Sequence, residues 1–147
     1  EYYLDQTDSY KAIDEFQLFM SKYPESELVD SCNILVKNLR NRLEIKSFEK
    51  AKLYFKMEKY RSATIAFSST MSEFPDTKYK EEILFLSLKS NFLFASNSVE
   101  RKKVERFEET IKSYHNFVDS FEKSKKLKEA ENYYLSSLKE LEKLKSN

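Results

Sequence analysis

The residues best suited to acid–base or nucleophilic chemistry are one histidine and one cysteine. His115 is the only histidine and Cys32 the only cysteine in the 147 residues. A histidine can act as a general base, and a thiol becomes a nucleophile when such a base lies beside it. His115 falls beside the apolar stripe of a predicted helix, which favours a surface residue. Cys32 falls on an apolar stripe, which favours burial, so we predict no catalytic residue.

The acidic residues do not suggest a metal or cofactor site either. Glutamates that are adjacent in sequence, such as Glu81 with Glu82, point in different directions on a helix. No spacing of His, Cys and carboxylates in the sequence is typical of a metal site, and there is no glycine for a phosphate-binding loop. We therefore predict a protein that is not an enzyme and that holds no metal and no cofactor.

Two clusters of basic residues remain as candidates for a binding site. The first is Arg101, Lys102, Lys103 and Arg106, which follow a polar connection; the second is Lys123, Lys125, Lys126 and Lys128. The 26 basic residues are balanced by 25 acidic ones, so no overall charge favours nucleic acid or an anionic membrane. Each cluster is either solubilising surface charge or a contact for an acidic protein partner. We select the first cluster as the candidate partner-binding residues.

One sequence motif occurs three times, and it indicates the helices that would position these residues. The copies are Ala12-x3-Phe16-x6-Tyr23-Pro24-Glu25-Ser26, Ala63-x3-Phe67-x6-Phe74-Pro75-Asp76-Thr77 and Thr110-x3-Tyr114-x6-Phe121-Glu122-Lys123-Ser124. They start about 50 residues apart, whereas the tetratricopeptide (TPR) repeat has a period of about 34. Such a repeat predicts stacked helical hairpins, an architecture that builds binding surfaces. The longer period requires lengthened helices or connections.

Apolar residues recur at steps of three and four along almost the whole chain, as in amphipathic helices. No helix breaker lies between Glu27 and Glu58, which predicts one helix of roughly 48 Å, with a break near Lys46-Ser47 as the alternative. Its expected apolar stripe is Leu28, Cys32, Leu35, Leu39 and Leu43. We predict an all-α fold, a TPR-like α-solenoid of about six helices with one or more over-long helices. We expect a single solenoid over residues 1–147, with units at about 1–26, 27–77 and 78–124 and a terminal helix at 125–147.

The joint pattern resembles the BamD family. In the first copy the resemblance rests on Tyr3-Leu4-Asp5-Gln6-Thr7, Tyr10-Lys11-Ala12-Ile13 and Tyr23-Pro24-Glu25-Ser26. In the second copy it rests on Lys50-Ala51-Lys52-Leu53-Tyr54, Ala63-x-Ile65-Ala66-Phe67 and Phe74-Pro75-Asp76-Thr77. The Ala95-x-Asn97-Ser98 connection is similar to that of BamD proteins from Bacteroidota. The chain as a whole resembles the C-terminal three repeat units of the family.

The resemblance implies a location and a set of partners. BamD proteins are lipoproteins on the periplasmic face of the outer membrane, where the BAM machine inserts β-barrel proteins. The resemblance implies that the chain docks the periplasmic POTRA domains of BamA. It also implies contacts with other BAM subunits and unfolded outer-membrane proteins, and attachment to the membrane only through a lipid anchor missing from this chain. The alternative is another TPR adaptor that binds a peptide or a cell-wall or periplasmic protein. The third copy departs from the pattern at Thr110 and Glu122, which leaves its geometry open.

Overall fold

The computed structural model describes residues 6–147, so the Tyr3–Asp5 part of the resemblance lies outside the described residues. This part of the chain contains six helices and no strand. The helices are α1 (Thr7–Lys22), α2 (Val29–Lys56), α3 (Tyr60–Glu73), α4 (Lys80–Ser96), α5 (Glu100–Ser120) and α6 (Leu127–Lys145). The predicted all-α fold of about six helices is confirmed. With 28 residues α2 is the predicted over-long helix, and it continues through Lys46 and Ser47.

The chain divides into two compact units, Glu1–Ser47 and Phe48–Asn147. In the first unit the buried side chains are Ile13 of α1 and Cys32, Val36 and Leu43 of α2. The predicted stripe was wrong at two positions, because Leu28 is 59% exposed and Leu35 is 46% exposed. Val36 replaces Leu35 on the buried face because each residue turns the helix by about 100°. Either residue continues the three-or-four spacing from Cys32, so the sequence pattern alone did not choose between them.

The second unit is built around α4, which packs against α3, α5 and α6. Ile83 near its start is buried in a cluster with Phe48, Ala51, Ala63 and Phe67. Leu88 in its middle is buried with Phe85, Phe117 and Ala130. Ala95 at its end is buried with Phe107 and Leu141. Burial on several faces makes α4 the central helix of this unit.

In all three copies of the repeated motif, the helix ends with the same backbone geometry. Tyr23, Phe74 and Phe121 follow α1, α3 and α5 with φ/ψ of −128°/63°, −124°/73° and −137°/62°. Each backbone N–H donates to the carbonyl four residues earlier, at 2.9 Å in every case. The third copy has Glu122 where the others have proline, and its helix still ends in the same way. The backbone hydrogen bond therefore does not depend on proline.

The hydroxyl residue of each copy shapes the turn that follows. The side chains of Ser26, Thr77 and Ser124 accept a hydrogen bond from the backbone N–H two residues later, at 3.2, 3.2 and 3.1 Å. Such side-chain turns substitute for a glycine-based turn. The helices α2, α4 and α6 begin three residues after the hydroxyl. The three turns between paired helices are therefore short and equal in length.

The turn between α2 and α3 has a left-handed residue, although the chain contains no glycine. Glu58 has a φ of 59°. The N–H of Lys59 donates to the Tyr54 carbonyl at 2.9 Å, and the N–H of Glu58 donates to the Phe55 carbonyl at 3.0 Å. These two bonds form a Schellman motif, whose left-handed position is usually glycine. Glu58 therefore occupies a conformation that a non-glycine residue adopts at a cost in free energy.

Candidate functional site

The two residues with potential catalytic chemistry lie in environments that match their predicted roles. His115 is exposed on α5, with its ring 5.4 Å from that of Tyr114 and 5.6 Å from that of Tyr134, both edge-on. Cys32 is a free thiol that is only 8% exposed. The surface histidine and the buried cysteine are both confirmed as predicted.

Within residues 6–147 no group of three His, Cys, Asp or Glu side chains is arranged to hold a metal ion. In the same range, no helix is both long and apolar enough to cross a bilayer.

The selected basic residues all lie in the first two turns of α5, and we call Arg101, Lys102, Lys103 and Arg106 the basic turn. The Lys103 ammonium lies 3.2 Å from a carboxylate oxygen of Glu100. The Lys102 ammonium lies 3.4 Å from a carboxylate oxygen of Glu105. Both are pairs between residues three apart on an exposed helix surface, which stabilise it only slightly. The Lys102 side chain stays 46% exposed, whereas that of Lys103 is only 21% exposed.

Arg106 differs from the other three because its side chain is held within the fold. Its Nη1 donates to Ser98 Oγ at 2.6 Å, and its guanidinium lies 4.0 Å from the centre of the Phe94 ring. Ser98 in turn donates to the Phe94 carbonyl. Arg106 therefore ties the start of α5 to the end of α4 through a charged hydrogen bond and a cation–π contact.

Arg101 presents the most available charge of the basic turn. Its side chain is exposed and makes no ion pair or hydrogen bond to any residue that the structure describes. Lys102 is exposed as well, whereas Lys103 and Arg106 are half-buried. The basic turn thus offers two exposed cations on an ordered helical end. An acidic protein surface is the partner that this charge arrangement suits.

A groove runs over α4 between α3 and α5, and we call it the α3–α5 groove. Its volume is about 530 Å³. Its lining residues are Arg61, Thr64, Ile65, Phe67, Ser68, Ser69 and Met71 of α3, Ile83, Leu84, Ser87 and Asn91 of α4, and Glu109, Ser113 and Asn116 of α5. Because α4 packs against both α3 and α5, the outer two helices form the walls and α4 forms the floor.

The two walls of the groove differ in polarity. The α3 wall contains Ile65, which is 54% exposed, and Met71. The α5 wall is formed by polar side chains alone: Glu109, Ser113 and Asn116. Across the groove, Nδ2 of Asn91 on the floor donates to Ser113 Oγ at 2.6 Å. Arg61, Thr64, Ser68 and Ser69 also line the α3 side, so the α3 wall is mixed whereas the α5 wall is polar.

Sequence reasoning did not find this groove, although α3 carries a signal for it. Hydroxyl side chains are frequent along this helix, at Ser62, Thr64, Ser68, Ser69, Thr70 and Ser72. Serine and threonine are poor helix formers in water-exposed positions, because their side chains compete with the backbone for hydrogen bonds. Three of them, Thr64, Ser69 and Thr70, donate to backbone carbonyls of the same helix, and Thr70 is fully buried.

A comparison with protein families identifies the chain. A family model described as YfiO, an outer membrane lipoprotein, matches residues 1–107. The matched residues include α1 to α4 and the basic turn, whereas the α5 wall of the groove lies beyond them. A comparison with curated proteins gives no match. The predicted BamD resemblance and the predicted outer-membrane location are confirmed by the family match. With nearly three quarters of its length matched, the chain belongs to the YfiO family of BamD-like outer membrane lipoproteins.

Proposed function

We propose that the protein is a non-enzymatic scaffold of the BAM machine that docks the periplasmic POTRA domains of BamA and aids the insertion of barrel proteins. Its membership of the YfiO family is the observation that carries the proposal. A helical solenoid without a catalytic constellation suits a role in holding other proteins in position. We further propose that the chain corresponds to the C-terminal three repeat units of a BamD protein of the Bacteroidota type. Other BAM subunits and unfolded outer-membrane proteins are the further partners we propose.

We propose that the basic turn contacts an acidic surface of the POTRA domains. Arg101 and Lys102 would form the contact, because their charges are exposed on the first turn of α5. Lys103 would add to the local positive potential, and Arg106 would fix the turn through Ser98 and Phe94. Exposed charges contribute to association chiefly through long-range attraction, which salt screens. The contact should therefore weaken as the salt concentration rises.

Titration calorimetry of the 147-residue chain with purified POTRA domains tests this proposal. We expect the double variant Arg101→Glu/Lys102→Glu to bind about tenfold more weakly at low salt, with a smaller difference at high salt. The matched control is Lys125→Glu/Lys128→Glu, which reverses two exposed lysines at the start of α6 and should bind like the wild type. No association of the wild-type chain with any POTRA domain would remove the proposed function. Unchanged affinity of the double variant would remove only the role of the basic turn.

A further inference from the structure

We propose that the protein contacts an anionic lipid surface through a set of lysines at one end of the second unit. These lysines lie in or beside the α3–α4 and α5–α6 turns, and we call them the lysine edge: Lys78, Lys80, Lys123, Lys125, Lys126 and Lys128. Lys126 is half-buried, and the other five are exposed. This contact goes beyond the proposed docking of POTRA domains, because its partner is a bilayer and its residues are different.

Two contacts bring the α5–α6 turn to the start of α4, which directly follows the α3–α4 turn. The Ser124 hydroxyl donates to a carboxylate oxygen of Glu81 in the first turn of α4. The Lys126 ammonium lies 4.9 Å from the centre of the Phe85 ring, one turn further along the same helix. The lysines of both turns therefore lie at the same end of α4.

The lysine edge carries positive charge that the fold does not neutralise. None of its ammonium groups forms an ion pair or a hydrogen bond with any residue of the described range 6–147. By contrast, Glu82 lies 3.8 Å from the Lys52 ammonium and Glu129 lies 3.5 Å from the Lys89 ammonium, so two nearby carboxylates are occupied by other lysines. The acidic residues that remain in or beside the two turns are fewer than the lysines: Asp76, Glu81, Asp119 and Glu122.

Aromatic rings lie among these lysines. The Lys78 ammonium is 5.3 Å from the centre of the Tyr79 ring. Tyr79 and Phe121 are both half-buried, so part of each ring reaches the surface. Aromatic rings beside lysines are typical of protein surfaces at a membrane–water interface, where the ring lies among the headgroups and the ammonium attracts phosphate.

Two observations favour a lipid surface over an acidic protein as the partner. The chain belongs to a family of outer membrane lipoproteins, which are held at a bilayer. The lysines of the edge are unpaired and spread over two turns, whereas recognition of one folded protein relies on charges in a fixed arrangement. A fluid layer of anionic headgroups attracts lysines in any arrangement.

The lysine edge and the basic turn lie at opposite ends of α4. The edge adjoins the start of this helix, whereas Arg106 of the basic turn packs on Phe94 near its end. At 1.5 Å per residue, the 17 residues of α4 separate the two surfaces by roughly 25 Å. Contact with lipid at one end would therefore leave the other end free for a protein partner.

Co-sedimentation with lipid vesicles tests the inference. We expect the 147-residue chain to bind phosphatidylcholine vesicles that contain about one third phosphatidylglycerol, and not vesicles of phosphatidylcholine alone. Each lysine near an anionic surface raises the partition coefficient by about fivefold, and high salt screens this attraction. The variant Lys78→Gln/Lys80→Gln/Lys125→Gln/Lys128→Gln should therefore bind at least about tenfold more weakly at low salt.

The matched control removes the same charge from four exposed lysines outside the edge and should bind like the wild type: Lys56→Gln/Lys59→Gln/Lys112→Gln/Lys139→Gln. Tryptophan fluorescence adds a readout of position, because the chain contains no tryptophan. Glu122→Trp places the ring among the lysines, and Glu142→Trp places it in the last turn of α6. Only the first should shift its emission to shorter wavelength when vesicles bind. Circular dichroism confirms the fold of each variant.

Each outcome supports or overturns a stated part of the inference. No binding to anionic vesicles, or equal binding to anionic and neutral vesicles, would overturn it. Equal losses in the two four-lysine variants, or equal emission shifts at the two tryptophans, would overturn the assignment to the lysine edge. Binding to soluble polyglutamate but not to vesicles would show an acidic polypeptide as the partner instead of lipid. Since POTRA association is measured without lipid, the proposed function and the lipid contact fail independently.

Discussion

The guanidinium of Arg106 lies 4.0 Å from the centre of the Phe94 ring and joins the first turns of α5 to the last turn of α4. The same side chain donates to Ser98 in the connection between the two helices. One residue of the basic turn is therefore part of the fold, while Arg101 and Lys102 face solvent. Arg106 therefore contributes to the stability of the basic turn, whereas Arg101 and Lys102 provide its exposed charge.

The first prediction concerns the stability contributed by Arg106. Arg106→Ala should lower the free energy of unfolding by about 1 to 2 kcal/mol, because it removes the cation–π contact and a charged hydrogen bond. Arg106→Lys keeps the charge but cannot stack as a planar group, so it should lose about half as much. Urea unfolding followed by circular dichroism measures both values. An alanine variant as stable as the wild type would mean that the contact does not hold the turn.

The second prediction concerns the left-handed residue at the end of α2. Glu58→Gly should raise the free energy of unfolding by about 0.5 to 1 kcal/mol, since glycine adopts a φ of 59° without the steric cost paid by glutamate. Glu58→Gln removes the charge near the helix C-terminus but keeps a side chain of the same size. It should raise the free energy of unfolding by only about 0.3 kcal/mol. Thermal and urea unfolding give the comparison. A glycine variant no more stable than the glutamine variant would contradict the assigned conformation.

The third prediction compares two fully buried serines. Ser137 Oγ donates to the Tyr133 carbonyl at 2.7 Å, whereas the buried oxygen of Ser90 has no hydrogen-bond partner within residues 6–147. Ser90→Ala should therefore stabilise the protein, and it should exceed Ser137→Ala in stability by about 1 kcal/mol, because an unpaired buried hydroxyl is costly. Both substitutions gain the same helix propensity, which cancels in the comparison. Equal stabilities would show that Ser90 does find a partner in solution.

The fourth prediction is a loss of stability at high pH caused by Tyr133. Burial raises the pKa of its phenol well above the usual value, and the hydrogen bond that its hydroxyl donates to Glu129 at 2.8 Å acts in the same direction. The folded state then keeps a proton that the unfolded state releases above about pH 10. Stability from this group is fully present below that pH and is lost as the pH rises further.

Tyr133→Phe isolates this effect because it keeps the ring and removes the hydroxyl. The difference between the unfolding midpoints of wild type and variant, measured from neutral pH to about pH 11, cancels the lysines that both proteins share. We expect the wild type to lose more stability than the variant above about pH 10. Parallel curves would contradict the raised pKa.

The sequence predicted a repeated helical geometry but left the third copy open, and the structure shows that this copy follows the other two. The third turn, with Glu122 in place of proline, ends its helix as the first two do, because the terminal hydrogen bonds come from the backbone and from Ser124. The sequence was insufficient for the face of α2, since Leu35 and Val36 satisfy the same spacing rule. Only packing against other elements decides which of two adjacent apolar residues is buried.

The candidate sites were predictable to different extents. The basic turn was visible as a charge cluster, but the inward role of Arg106 depends on Phe94 and Ser98, which precede it by twelve and eight residues in sequence. The α3–α5 groove combines residues from three helices, so its two unlike walls appear only once the helices are packed. Single-residue patterns do not encode such a surface.

Photo-cross-linking between the chain and purified POTRA domains of BamA tests the central claim most directly. A photoreactive amino acid replaces Arg101 in one variant and Lys125 in the control, both of which are exposed. The docking proposal predicts a cross-linked product from position 101 that is absent, or far weaker, from position 125. Mass spectrometry should place the linkage on an acidic surface of one POTRA domain. No product from position 101, or equal products from both positions, would contradict docking through the basic turn.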